Sequence, residues 1–186
     1  AAAFATAFFL IVTFGYRTKE ERAEALAAAG VVDADPSQAA ADLALESSAA
    51  ANEAAAAGAA AEAGKDFEEV KRVFAKANAA TRSFGVAFSG CTLPGADGPL
   101  FTVPEGKMGI GLGIHGEPGV DEARLGTADE VARTLVEGLL EDRPADAGGR
   151  VIAIVNGLGA TKYEELFVLY ASVSRLLEAR GLGIVA

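Results

Sequence analysis

The sequence predicts an α/β domain preceded by one N-terminal transmembrane helix and an Ala-rich helical spacer. Three observations carry this. The run Arg150 to Asn156 (RVIAIVN) is continuously apolar between its two end residues, the pattern of a strand covered on both faces. Helix-start signals precede apolar runs of helical period at Asp66, Thr127 and Thr161. Finally, Ala1 to Tyr16 carries no charge and is followed at once by Arg17, Lys19 and Arg22.

As a helix, Ala1 to Tyr16 would span roughly 24 Å at about 1.5 Å per residue. A full crossing needs about 20 residues, so a few further apolar residues upstream would complete it. The basic residues that follow would place the next segment on the cytoplasmic, stromal or matrix side. A signal-peptide tail and a buried core helix are the competing readings. The sequence starts with Ala1, which points to a processed chain or a piece of a longer one.

The expected organisation is a membrane helix over 1–16, a helical, Ala-rich linker over 17–57 and a folded domain over 58–186. The linker has helix propensity but few large apolar residues to bury. In the domain, Asp66 and Glu69 open a helix with Val70, Val73, Phe74 and Ala77 on one face. Ser83 to Thr92 reads as a strand, Phe101 to Val103 as a short extended run, and Met108 to Ile114 as a strand ending at His115. Thr127 and Glu130 cap a helix with Val131, Leu135, Leu139 and Leu140 inward. Thr161 and Glu164 cap another, with Leu166, Phe167, Tyr170, Val173, Leu176 and Leu177 inward and its end at Gly181. Leu182 to Ala186 reads as the start of a further strand.

Composition excludes several functions. A net charge of −10 speaks against a nucleic-acid partner, since phosphate binding needs clustered Lys and Arg. The single Cys91 excludes an internal disulfide and a Cys-based zinc site, and it reads as a small buried residue. No phosphate-loop signature is present. Gly111 to Gly116 spells G-x-G-x-x-G, but Glu117-Pro118-Gly119 follows where a dinucleotide site needs a helix, so that reading is rejected. Asn156 to Thr161 is a glycine loop between strand and helix, either a ligand loop or a tight turn.

The strongest chemical candidate is His115, the only histidine. It lies in Gly113-Ile114-His115-Gly116-Glu117-Pro118-Gly119, where its glycine neighbours allow close approach of a ligand. A turn in which His115 merely hydrogen-bonds a carbonyl is the alternative. Four blocks now carry a resemblance: Gly58 to Gly64, TRSFGVAFSGCTLPG (Thr81 to Gly95), MGIGLGIHGEPG (Met108 to Gly119) and RVIAIVNGLGAT (Arg150 to Thr161). Together, from about Gly58 to Ala186, they resemble the later part of the substrate-binding K domain of dihydroxyacetone (glycerone) kinases.

The resemblance implies that His115 binds a ketone covalently as a hemiaminal, with Gly113, Gly116 and Glu117 around the substrate. It also implies that this chain binds no cofactor, ATP and magnesium being held by a separate domain or subunit. The departures are as informative. The family's Ser-Gly-His-Glu-Pro loop and acidic catalytic residue do not occur upstream of Gly58, and Ala54 and Ala55 stand where a His-Lys pair usually does. The closing strands are missing after Ala186, so apolar surface should be exposed where the other half would pack. The expectation is therefore a single-pass, membrane-anchored accessory subunit of an organellar complex, a thylakoid one among the candidates. Its partners would be other subunits of that complex and the membrane, through residues 1–16. The alternative is a fragment or split subunit of a dihydroxyacetone kinase that binds a triose or similar small ketone through His115.

Overall fold

The computed structural model describes residues 7–16, 46–90, 92, 97–99, 101–111, 119–158 and 161–185. In chain order the elements are β1 (Ala7–Tyr16), α1 (Glu46–Glu62), α2 (Phe67–Ala80), β2 (Thr81–Ala87) and β3 (Lys107–Ile110). They continue with β4 (Asp121–Arg124), α3 (Ala128–Glu141), β5 (Ala147–Leu158), α4 (Tyr163–Ala179) and β6 (Gly183–Ile184). The strand order is β4-β3-β2-β1-β5-β6. The chain divides into two compact units, Ala1–Leu10 with Phe84–Glu141 and Ile154–Gly181, and Ile11–Ser83 with Asp142–Ala153 and Leu182–Ala186.

The expected transmembrane helix is corrected by β1. Residues 7–16 are a strand flanked on both sides in the sheet, and Leu10 and Val12 are fully buried. The physical reason is that a short uncharged run has no periodicity to separate a helix from a strand buried on both faces. Here Phe8, Phe9, Ile11, Val12, Thr13 and Phe14 are residue types that favour extended backbone. No described helix is long and apolar enough to cross a membrane. Of the expected spacer, 17–45 lies outside the described residues, and α1 runs from Glu46 through Gly58.

In the first unit, β2, β3 and β4 form an antiparallel array. Val86 pairs with Ile110 and Ala87 with Gly109, and Met108 pairs with Ala123. Helices α3 and α4 pack together and supply most of this unit's core. Val131, Ala132, Leu135, Val136 and Leu139 are buried on α3, and Leu169, Val173 and Leu177 on α4. The expected inward face of α3 is present, with Leu140 half-buried. On α4 Val173 and Leu177 are buried as expected and Leu166, Tyr170 and Leu176 half-buried, with one exception. Phe167 is 70% exposed, while Leu169 and Ser172 are buried instead. The α4 start is also displaced by one residue: Lys162, not Thr161, is the cap, and its N–H donates to Glu165 Oε2 at 3.0 Å.

Ser172 is buried because it has a partner on α3. Its hydroxyl donates to Asp129 Oδ1 at 2.5 Å, and Arg175 Nη2 donates to the same oxygen at 2.8 Å. The Ser172 hydrogen bond, first, and then the Arg175 and Arg133 charges hold the Asp129 carboxyl below the ordinary carboxylate value, against a partial desolvation. This unit also contains one close approach. A Cβ on Gly138 of α3 would lie 2.5 Å from the Phe84 ring, so glycine lets the ring lie against the helix backbone.

In the second unit, α1 packs on α2. Asp66 Oδ1 accepts the Glu69 N–H at 2.9 Å, the expected cap, and Val70, Val73 and Ala77 are half-buried. Phe74 is 44% exposed. Helix α2 leads directly into β2, where Thr81 donates its hydroxyl to the Ala77 carbonyl at 2.9 Å. Arg82 donates to the Ala79 and Asp142 carbonyls and pairs with the Asp142 carboxylate at 2.7 Å. Strands β5 and β6 run parallel, Val151 opposite Ile184. Residues 102–104 belong to no helix or strand, a turn follows at 105–106, and β3 ends at Ile110. Cys91 lies outside the described residues.

Two outcomes follow. Gly138→Ala adds helix propensity worth about 1 kcal/mol, but the overpacking costs about 1–3 kcal/mol. Urea denaturation should show a net loss of up to about 2 kcal/mol, recovered when Phe84→Leu is added. For Asp129, a folded-state pKa below its ordinary value means stabilisation that is present above that value and lost as pH falls through the folded one. Asp129→Asn should therefore melt below wild type at pH 7, with the gap closing below about pH 4.

Candidate functional site

His115, Gly113, Gly116 and Glu117 lie in 112–118, outside the described residues. The structure does describe both anchors of that segment. Before it, the Gly111 N–H donates to the Gly85 carbonyl at 2.8 Å, adding one rung to the β2–β3 ladder. After it, the Val120 N–H donates to the Ile110 carbonyl at 2.9 Å, and β4 begins opposite at Asp121. Gly111 has φ +68°, a left-handed backbone conformation that disfavours any residue with a Cβ. Val120 is 75% exposed, and its methyl Cγ2 stands 3.1 Å from where a Gly111 Cβ would be.

The connection from β4 to α3 builds the next part. Thr127 and Glu130 form the expected reciprocal cap: Thr127 N–H donates to Glu130 Oε2 at 2.7 Å, and Thr127 Oγ1 accepts weakly from the Glu130 N–H at 3.4 Å. Gly126 leaves room for this, since its Cβ would lie 2.8 Å from the Glu130 side chain. The Thr127 backbone N–H, then its hydroxyl, holds the Glu130 carboxyl below its ordinary value, with Arg124 3.6 Å away and Arg133 contributing charge and desolvation opposing.

A cavity of about 530 Å³ opens in the first unit where the end of β2, the β4–α3 connection and the start of α4 meet. Phe88, Leu125, Val131, Val168 and Leu169 form apolar walls, and Glu164 and Glu165 bring carboxylates to its side. This combination, mostly apolar with few polar groups, is that of a small-molecule pocket. None of these residues was legible as a site. They come from three separated segments, and only their meeting in space signals a cavity. The cavity residues contain hydrogen-bond acceptors but no imidazole or thiol nucleophile. Among the described residues no group of three or more His, Cys, Asp or Glu could hold a metal ion.

The family model described as the Dak1 domain matches residues 50–186. The chain is similar to the D-erythrulose kinase of Mycolicibacterium smegmatis, 64% identical over 125 residues that cover 67% of this chain and 22% of that protein. It is similar to the L-erythrulose kinase of Pectobacterium atrosepticum, 56% identical over 129 residues, with the same shares of 67% and 22%. The dihydroxyacetone-binding subunit DhaK of PTS-dependent dihydroxyacetone kinase 2 from Listeria innocua is 39% identical over 121 residues, 65% of this chain and 37% of that subunit. Among solved structures, the dihydroxyacetone kinase operon co-activator Dha-DhaQ superposes with a TM-score of 0.60 at 28% identity, covering 70% of this chain and 40% of that one. The chain thus spans about a fifth of the length of the erythrulose kinases it matches. With most of its length matched by that one domain model, the chain belongs to the Dak1 domain family.

Proposed function

We propose that this chain is the ketose-binding part of an erythrulose- or dihydroxyacetone-type kinase, and that His115 holds the ketone covalently. The carrying observation is the 64% identity with a D-erythrulose kinase, well above the 39% with a dihydroxyacetone-binding subunit. That difference favours a four-carbon ketose over the triose.

The chemistry suits a lone imidazole. A nitrogen lone pair of His115 adds to the ketone carbon, the carbonyl π pair moves to oxygen, and that oxygen takes the proton the ring gives up. The product is a neutral hemiaminal. A histidine is the side chain able to stay neutral, and hence nucleophilic, near pH 7. Gly113 and Gly116 would leave space beside the ring, and Glu117 would accept hydrogen bonds from substrate hydroxyls. On this reading ATP and magnesium belong to a separate domain or subunit, which transfers the phosphoryl group to the held ketose. The accessory membrane-subunit reading loses its main support, because residues 7–16 form a strand.

The test is carbon NMR with ketoses labelled at the carbonyl carbon. With wild-type protein, the carbonyl signal of erythrulose should convert in part to that of a tetrahedral carbon, more than that of dihydroxyacetone does. His115→Ala, shown to be folded by circular dichroism, should abolish the conversion. A folded wild-type protein that leaves both ketones unchanged would sink the proposal.

A further inference from the structure

The cavity of about 530 Å³ borders the start of β3, whereas the segment that carries His115 follows the end of β3 in the sequence. The strand register shows this. Gly111, beyond the end of β3, bonds to Gly85 on β2. The cavity instead takes Phe88, further along β2, and Leu125, next to the residue that pairs with Lys107 at the start of β3.

Its walls suit a different ligand from a ketose. Phe88, Val131, Val168 and Leu169 offer hydrocarbon, and among the described lining residues only Glu164 and Glu165 offer a polar side chain. An ionised carboxylate accepts hydrogen bonds and donates none. The hydroxyls of a sugar would lose water here and find few partners. The two carboxylates are not equally engaged. Glu165 Oε2 accepts the Lys162 N–H at 3.0 Å. Glu164 has no hydrogen bond or ion pair among the described residues. Arg124, beside Leu125, is drawn to Glu130, 3.6 Å away.

We infer that this cavity is a second binding site, for a small ligand with an apolar body and a protonated amine, the amine directed at Glu164. The volume falls in the range of small-molecule pockets, roughly 300–1,000 Å³. The apolar body supplies most of the affinity by leaving water for the hydrocarbon walls. The sign of the charge follows from the lining. An ammonium brings three donors to a carboxylate that has no partner, whereas an anion would be repelled. The net charge of −10 also favours the approach of a cation. Glu164 is exposed, so its attraction is screened, and it should contribute about threefold to fivefold in affinity.

The test uses three compounds that share one apolar body: phenylbutylamine, phenylbutanol and phenylbutyrate. Each is titrated into the chain while the methyl NMR signals of Val131, Val168 and Leu169 are followed. The amine should shift these signals and bind about threefold to fivefold tighter than the alcohol, with the carboxylate weakest. Glu164→Gln, at an exposed position that leaves the Glu165 cap in place, should lower the affinity for the amine to that for the alcohol. Val168→Asn, neutral and at a position 58% exposed, should weaken all three compounds alike. Erythrulose should not displace the amine. Methyl signals that no compound moves would overturn the site. So would equal affinities for amine and alcohol, an amine preference that survives Glu164→Gln, unchanged binding in Val168→Asn, or displacement of the amine by erythrulose. Failure of wild type to form a ketone adduct would count against the role of His115 alone, since none of these readings uses a ketone adduct.

Discussion

The hydrogen bond from the Gly111 N–H to the Gly85 carbonyl is the contact on which the site end of the first unit depends. It works because β2 is a strand others can approach closely. Gly85 and its neighbours carry little bulk, apart from Phe84, which lies against the α3 backbone where Gly138 has no side chain. Val86 and Ala87 pair with β3 and are buried, and Phe88 forms a wall of the cavity. One short strand therefore seats a helix, sets the β3 register and borders the pocket. A shift of one residue in that register would turn Val86 toward the opposite face and move Gly111 off its acceptor. The glycine positions are thus packing requirements as much as turn requirements.

How much of this was legible in the sequence depended on how local the signal was. Asp66 and Thr127 announce their helices because the capping partners lie three residues away on the same segment. At α4 the same rule erred by one residue, because Thr161 with Glu164 and Lys162 with Glu165 spell nearly equivalent starts, and hydrogen bonding selects the second. On α4 the burial of Ser172 was missed for a non-local reason. Ser172 is buried because Asp129 and Arg175 satisfy it, and no periodicity of apolar residues signals a polar group sheltered by a partner 43 positions away. The apolar run 7–16 was read as a membrane helix for want of any periodicity at all. Its place between two other strands is a tertiary fact.

The candidate site divides in the same way. The His115 motif was visible because its residues are contiguous and a lone histidine among glycines is chemically distinctive. The cavity was not, since Leu125 and Val168 look like ordinary exposed apolar residues until α3 and α4 are brought together. Tyr163, Phe167 and Val168 are exposed on the first turns of α4. Their grouping around one helix end, with Val168 also in the cavity wall, sets them apart from singly scattered surface residues.

The covalent capture proposed for His115 would explain why the position of its ring should matter so much. A small ketose offers few atoms and many hydroxyls, and exchanging its hydrogen bonds to water for bonds to protein yields little net free energy each. Shape and polarity alone would hold it weakly and would hardly separate it from the corresponding polyol. A bond between imidazole and carbonyl supplies both retention and selectivity, because only the ketone can form it. That gain exists only if the ring nitrogen meets the carbonyl carbon at bonding approach, and a misplacement of about 1 Å can cost roughly a hundredfold. On either side of the segment that carries His115, the described contacts are the Gly111 N–H on the Gly85 carbonyl and the Val120 N–H on the Ile110 carbonyl.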